Sequence, residues 1–166
     1  YILGDTVKFL STQPHRIKLS GRTAHFINAF GEELIVSNAE EALQNACEMH
    51  QCSVRDFHAG PIFMEDASCG AHQWIIEFEK LPEDLKAFTH SLDLSIQNLN
   101  SDYGAKRKSG LVLGPLELIV ARDSLFHDWL KLKGKLGGQN KIPRLSNNRL
   151  FLEQFMELNR IPDVPL

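Results

Sequence analysis

The sequence lacks any apolar run that approaches the ~20 residues of a membrane-spanning helix, and it lacks an excess of charge of either sign. Lysine and arginine number 18 against 21 aspartates and glutamates, so the formal net charge is -3. A chain so balanced is not built as a whole to attract nucleic acid or an acidic membrane surface. We therefore expect neither a nucleic-acid partner nor a membrane partner.

Cysteine is also scarce. The chain has three cysteines, an odd number without a dense pattern, which excludes a disulfide-stapled secreted scaffold and favours a reducing compartment. We therefore predict a cytoplasmic location. What is present is an ordinary soluble composition, with 43% hydrophobic residues in a chain of 166, enough for one domain that buries roughly two thirds of its unfolded surface.

The cysteines share one stretch of the chain with several histidines, which raises zinc as an alternative. The Cys-x-x-Cys pairs typical of structural zinc sites are missing from it, and Cys47 lies on the apolar face of a predicted helix. We predict buried thiols, surface histidines and no metal site. The candidate zinc ligands in this stretch are Cys47, His50, Cys52, His58, Cys69 and His72.

Alternation of charged and apolar residues predicts short strands near the start. Residues 7–10 and 16–19 alternate around the turn Thr12-Gln13-Pro14 and predict a hairpin. A second hairpin is predicted from residues 26–28 and 34–36.

A first helix is predicted to begin at Ser37, where Ser37 and Glu40 have the spacing of a capping box, and to end near His50. A long hairpin follows, with one strand from Val54 and another over residues 73–78. In the second strand one face carries Trp74, Ile76 and Phe78, and the other carries Gln73 and Glu77.

The longest helix is predicted over residues 82–102, from an apolar residue at every third or fourth position. A solvated basic loop at residues 106–108, a strand at residues 116–120 and a short helix capped by Asp123 or Ser124 should follow. A last helix carries Leu150, Phe151, Phe155 and Leu158.

This order of elements predicts an α+β fold. A small mixed or antiparallel sheet is flanked by helices, has a split strand-helix-strand topology, and is preceded by a short β-hairpin region.

Two segments have residue types suited to a nucleotide. At the start, Tyr1-Ile2-Leu3-Gly4-Asp5 places a carboxylate after a glycine turn, where its two oxygens can accept from ribose hydroxyls; the same pattern is also common in plain loops. Near the end, the Gly137–Arg144 segment combines a glycine pair with lysine and arginine, which suits phosphate as well as a solvated turn. Because the chain opens inside the first motif, we expect it to be part of a longer protein.

The order of these motifs resembles acyl-adenylate-forming enzymes, and more closely the auxin-responsive (Gretchen Hagen) family of acyl-acid amido synthetases, in particular its bacterial members. The likeness spans nearly the whole chain. It is carried by the opening motif, Gly21-Arg22, residues 26–33, residues 116–120, Phe126 before Trp129, residues 138–144 and Asn147-Asn148.

The resemblance implies that residues 1–22 are the tail of a missing N-terminal ATP-binding domain plus the hinge, and that residues 23–166 are a mobile C-terminal α+β domain. The whole enzyme would use ATP, with Mg²⁺ bound mainly by the missing domain. It would conjugate a small carboxylic acid to an amine or amino acid, with a thiol acceptor left open. The chain alone is expected to be inactive.

The resemblance also implies roles for four residues. Asp5 would bind the ATP ribose, Arg22 would lie at the hinge close to the nucleotide, Lys141 would be the mobile catalytic lysine, and Arg144 would bind the nucleotide beside it. Thr23-Ala24 departs from the usual residues after the arginine, so the hinge position stays open.

The sequence allows one other class of function and disfavours a third. A stand-alone α+β ligand-binding or protein-interaction module remains the alternative. RNA binding is disfavoured, because the basic residues are few and are not interleaved with aromatic residues on a strand.

Overall fold

The computed structural model describes residues 5–22, 26–64, 69–137 and 141–161, with the backbone alone at residues 5, 6, 8 and 19–22. In chain order the described elements are β1 (Asp5–Thr12), β2 (His15–Arg22), β3 (Phe26–Ile27), β4 (Leu34–Ile35), α1 (Val36–His50), β5 (Ser53–Ile62), β6 (Ala71–Lys80), α2 (Leu85–Leu99), α3 (Ser101–Ser109), β7 (Glu117–Val120), α4 (Leu125–Leu132) and α5 (Leu150–Asn159). The motif residues 1–4, Thr23-Ala24 and residues 138–140 lie outside the described residues.

Both predicted hairpins at the start are confirmed. Strands β1 and β2 pair antiparallel, with Thr12 opposite His15 next to the turn and Asp5 opposite Arg22 at the far end. Strands β3 and β4 form a second, two-residue pair.

The central sheet has the strand order β5-β6-β7. β5 and β6 are antiparallel, whereas β6 and β7 are parallel. A parallel pair needs a crossover, and α2 with α3 supplies it. The predicted α+β class is therefore confirmed. The predicted split strand-helix-strand topology is wrong, because β6 and β7, the two strands that the crossover joins, are direct neighbours with no strand between them.

Each face of the sheet supports its own apolar core. On one face Trp74 stacks on Phe57 with ring centroids 5.2 Å apart, in a cluster that includes apolar residues of α1 and α2. On the other face Ile75 packs with apolar residues of α4 and α5. This division follows from the period of two in β6, which sends alternate side chains to opposite faces.

Glu77 lies on the second face of the sheet and is buried, although a glutamate in the sequence suggests a position exposed to solvent. Its carboxylate accepts hydrogen bonds from the backbone N–H groups of Ser124 (2.9 Å) and Phe126 (3.4 Å) at the start of α4. A carboxylate is well suited to these unpaired donors. Ser124 does occupy the N-cap position, but the predicted side-chain cap is wrong, since neither it nor Asp123 caps the helix.

The capping box predicted at Ser37 and Glu40 is also wrong. Helix α1 begins at Val36, directly after β4, and has no side-chain cap. Glu40 instead forms an ion pair with Arg144.

The predicted single helix over residues 82–102 is two helices. Asn100 leaves the helical conformation at φ -132° and ψ 107°. Its side-chain oxygen caps α3 by accepting from the Tyr103 N–H at 2.8 Å, while its Nδ2 donates to the Glu32 carbonyl at 2.8 Å. The side chain of Asn100 at this break therefore pairs the carbonyl of Glu32, in the turn between β3 and β4, as well as a free N–H at the start of α3.

The basic residues 106–108 form the last turn of α3 and not a solvated loop, so that prediction is wrong. Arg107 donates to both carboxylate oxygens of Asp93, which lies in α2, and the Tyr103 hydroxyl donates to the same carboxylate at 2.5 Å. Burial and the adjacent Asp93 charge hold the pKa of Tyr103 well above its ordinary value. This network fixes α3 on α2.

Candidate functional site

The segment from Lys141 to Arg149 runs along the free edge of β5 and continues the sheet there. Leu145 forms a parallel bridge with Ala59. The Ala59 N–H donates to the Arg144 carbonyl at 2.9 Å, and the Ser146 N–H donates to the Ala59 carbonyl at 3.1 Å. A stretch without regular secondary structure is thus held by sheet-type hydrogen bonds.

His58 precedes Ala59 in β5 and holds Pro143, the residue before Arg144 in this segment. Its ring is fully buried and lies 5.8 Å from the ring of Phe151 and 5.2 Å from the ring of Phe155. Its Nδ1 is hydrogen-bonded to the Pro143 carbonyl. Since a carbonyl oxygen only accepts, Nδ1 carries the proton.

The far end of the segment is tied to other strands. Asn147 Oδ1 accepts from the Asn28 N–H at 2.5 Å. Arg149 donates to the Pro61 carbonyl at 2.8 Å and to Gln73 Oε1 at 2.9 Å. The segment is therefore fixed to β5, to β6 and to the residue that follows β3.

Lys141 stands at the start of this fixed segment. Its side chain is exposed, whereas that of the next residue, Ile142, is only 5% exposed and packs in the core of α4 and α5. The buried Ile142 and the His58–Pro143 hydrogen bond fix the backbone next to Lys141, while the lysine side chain stays at the surface.

Arg144 faces a cleft of about 380 Å³ between α1 and β5. It forms an ion pair with Glu40 and approaches Asp56 Oδ1 at 3.7 Å, and its guanidinium lies 5.3 Å from the centroid of the Phe57 ring. Burial raises the pKa of Asp56 above its ordinary value, against the opposing effects of the Phe57 N–H and the Arg144 charge. The cleft thus holds a cation between two carboxylates and an aromatic face.

The four residues singled out by sequence fall into two pairs. Lys141 and Arg144 share the fixed segment, and Asp5 and Arg22 are backbone partners at the end of the β1–β2 hairpin away from its turn. The side chains of Asp5 and Arg22 lie outside the described atoms, so their roles stay predictions.

Sequence reasoning missed the buried pair of Glu32 and His72, which joins the turn after β3 to β6. His72 Nε2 and Glu32 Oε1 are 2.7 Å apart, and both side chains are fully buried. Glu32 Oε2 also accepts from the Phe30 N–H at 2.7 Å. Burial alone would raise the pKa of Glu32, but the hydrogen bond and charge of His72 outweigh it and hold that pKa below 4.5.

The prediction of surface histidines is therefore wrong for His58 and His72. The burial of His72 could have been predicted from the sequence, because His72 lies on the same face of β6 as Trp74, Ile76 and Phe78. The cysteines Cys47, Cys52 and Cys69 are half-buried and free of disulfides.

Among the residues that the structure describes, no group of three or more histidines, cysteines, aspartates and glutamates is placed to hold a metal ion. The described ranges likewise contain no helix long and apolar enough to cross a membrane.

Comparison with known proteins connects the fold to a family. The model of the GH3 family C-terminal domain matches residues 37–150. Among solved structures, a GH3.15 acyl acid amido synthetase superposes with a TM-score of 0.72 at 17% identity, over 98% of this chain and 31% of that one. An AtGH3.15 acyl acid amido synthetase in complex with 2,4-DB gives a TM-score of 0.73 at 17% identity, over 98% of this chain and 30% of that one.

The chain spans less than a third of the length of these two solved structures, and at such identity the likeness is one of fold. The comparison with curated proteins gave no match.

Proposed function

This chain belongs to the GH3 family, whose C-terminal domain it matches over residues 37–150, and from that membership we propose that it is the mobile C-terminal part of an ATP-dependent acyl-adenylate-forming ligase. The whole enzyme would join a small carboxylic acid to an amine or amino acid. Residues 1–22 would be the tail of the ATP-binding domain with the hinge, and residues 23–166 the mobile domain.

The observation that carries the proposal is the placement of Lys141. A lysine that stabilises a transition state has to reach a ligand in another domain and still be held in position. The exposed side chain of Lys141 and the burial of its neighbour Ile142 support this role.

The chemistry asked of this lysine is electrostatic. When a carboxylate attacks the α-phosphorus of ATP, negative charge develops on the α-phosphate oxygens as pyrophosphate leaves. An ammonium group placed there lowers the energy of the transition state more than that of the bound substrates, and such groups are typically worth about 10²–10³-fold in rate.

Arg144 is proposed as the second contact to the nucleotide. Its present partner Glu40 is a weak competitor, because the two side chains are 40% and 46% exposed and exposed ion pairs stabilise by only about 0–1 kcal/mol. Phosphate offers the guanidinium a charged, bidentate acceptor. The nucleotide can therefore displace Glu40 at little cost.

For Asp5 and Arg22 the support is their register. Residues paired across two antiparallel strands lie side by side, so a ribose contact at Asp5 and a hinge contact at Arg22 would act at the same end of the hairpin. Mg²⁺ would be held by the ATP phosphates and mainly by the N-terminal domain.

The test uses the full-length enzyme with Lys141→Ala. We expect ATP–pyrophosphate exchange to fall by about 10²–10³-fold, while transfer of a preformed acyl-adenylate to the amine changes far less. Lys131→Ala is the matched control, since it removes an exposed lysine from the last turn of α4 and should leave exchange unchanged. Equal exchange rates in Lys141→Ala and the wild type would exclude the catalytic role.

A further inference from the structure

Two of the three cysteines meet where helix α1 ends. After His50, Gln51 adopts a left-handed conformation with φ 51° and ψ 39°, and the Cys52 N–H donates to the Cys47 carbonyl at 3.1 Å. This six-to-one hydrogen bond is that of a Schellman turn, which brings the side chains on its two sides into contact.

The turn limits how far apart the two residues can be. With standard bond lengths, a 3.1 Å hydrogen bond from Cys52 N to Cys47 O keeps the two Cα atoms within about 7 Å. A disulfide spans Cα separations up to nearly that value. The hydrogen bond that ends the helix therefore keeps the two Cα atoms within or close to the range of separations that a disulfide spans.

Both cysteines line the cleft of about 380 Å³ that also contains Arg144 and Glu40. Both are half-buried, so a small reagent in the cleft can reach them. The third cysteine, Cys69, lies two residues before β6, beside Gly114, and does not line this cleft.

The two thiols differ electrostatically. Burial, together with the neighbouring Cys52, raises the pKa of Cys47 to about 12. A raised pKa disfavours the Cys47 thiolate, so the attacking role falls to Cys52 and the resolving role to Cys47. A thiolate beside a second thiol is the arrangement of a nucleophile with a resolving partner.

We propose that Cys47 and Cys52 form a reversible dithiol–disulfide site that reacts with hydroperoxides, a property separate from the ligase activity proposed above. The Cys52 thiolate attacks one peroxide oxygen, the O–O bond breaks, and a sulfenic acid and hydroxide form. The Cys47 sulfur then attacks the Cys52 sulfur, the S–O bond breaks, and the leaving hydroxide takes the Cys47 proton to become water. The sulfurs lose two electrons and the peroxide gains them.

The test treats the 166-residue chain with hydrogen peroxide, alkylates the remaining thiols, and maps tryptic peptides by mass. Cys47 and Cys52 fall together in the peptide of residues 23–55, and Cys69 falls in the peptide of residues 56–80. We expect the first peptide to lose two hydrogens and take up no alkyl group while Cys69 is still alkylated. Dithiothreitol should restore both thiols.

Three single variants test the roles. Cys69→Ser should oxidise like the wild type. Cys47→Ser should accumulate a sulfenic acid on Cys52 that dimedone traps, and Cys52→Ser should give much less dimedone adduct. The proposal is overturned by two alkyl groups on peptide 23–55 once Cys69 has been oxidised, by a disulfide that includes Cys69, or by more dimedone adduct in Cys52→Ser than in Cys47→Ser.

Discussion

Replacing Glu32 tests the buried pair that the sequence did not reveal. In Glu32→Ala both the His72 ring nitrogen and the Phe30 N–H lose their acceptor, at sites 2.7 Å from the deleted oxygens. Leaving a buried donor without an acceptor costs about 1–3 kcal/mol for each donor, so we expect a loss of about 2–6 kcal/mol for the two. Glu32→Gln keeps an acceptor oxygen but not the charge, so we expect a smaller loss of about 1–2 kcal/mol.

The assay is urea unfolding of the 166-residue chain, followed by the fluorescence of the buried Trp74 and Trp129. Glu33→Gln is the matched control, because Glu33 is exposed and such a change should stay within about 0.5 kcal/mol. A loss in Glu32→Ala no larger than that of the control would refute the argument that this pair holds the turn to β6.

Protonation gives a second check on the same pair. The pKa of Glu32 is below its ordinary 4.5 in the folded chain, so the folded state favours the ionised form. Its contribution to stability is therefore fully present above pH 4.5 and is lost as the pH falls through the folded value. The wild type and Glu32→Gln should converge in stability with acidification, and a difference that stays constant would mean that Glu32 is not the titrating group.

Two further substitutions probe how the sheet and helices meet. Gly70→Ala would push a methyl group into the Phe30 ring and should lower the free energy of unfolding by about 1–3 kcal/mol. Urea unfolding should show a smaller effect of Gly70→Ala when Phe30 is also replaced by alanine. Asn100→Ala removes the cap at the Tyr103 N–H and should cost about 1–2 kcal/mol. Asn100→Ser retains a capping acceptor but, like alanine, lacks the amide donor to the Glu32 carbonyl. It should therefore lose less than Asn100→Ala, and an equal loss in both variants would contradict the capping role.

The sequence predicted those parts of the fold whose causes are local. Period-two alternation located the strands of the first hairpin and assigned the two faces of β6. The order of helix, two strands, helix and further strand was enough to predict the α+β class. The sequence did not predict that β7 lies directly beside β6, because strand order depends on pairing between distant segments and the split topology expects another strand between them.

The failures share a non-local cause. Asn100 ends α2 because its amide also serves the Glu32 carbonyl, 68 residues away. Glu40 does not cap α1, and its partner Arg144 is 104 residues away. No window of sequence contains both members of either pair, so local propensity alone could not predict these contacts.

The candidate site also combines a part that the sequence predicts locally with a part that depends on distant contacts. Motif order was sufficient to single out Lys141 and Arg144, but what holds Lys141 is a set of contacts from β5 and α5 that the motif does not contain. Among these is the hydrogen bond of the buried His58 to the Pro143 carbonyl.

The same contacts constrain how Lys141 can move. Residues 144–146 are joined to β5 through backbone hydrogen bonds, and Ile142 is packed in the core of α4 and α5. Moving the lysine independently by several ångströms would break these bonds and expose that core. If Lys141 swings towards a nucleotide, it must therefore travel with the whole domain, and the freedom for that movement has to lie at the hinge.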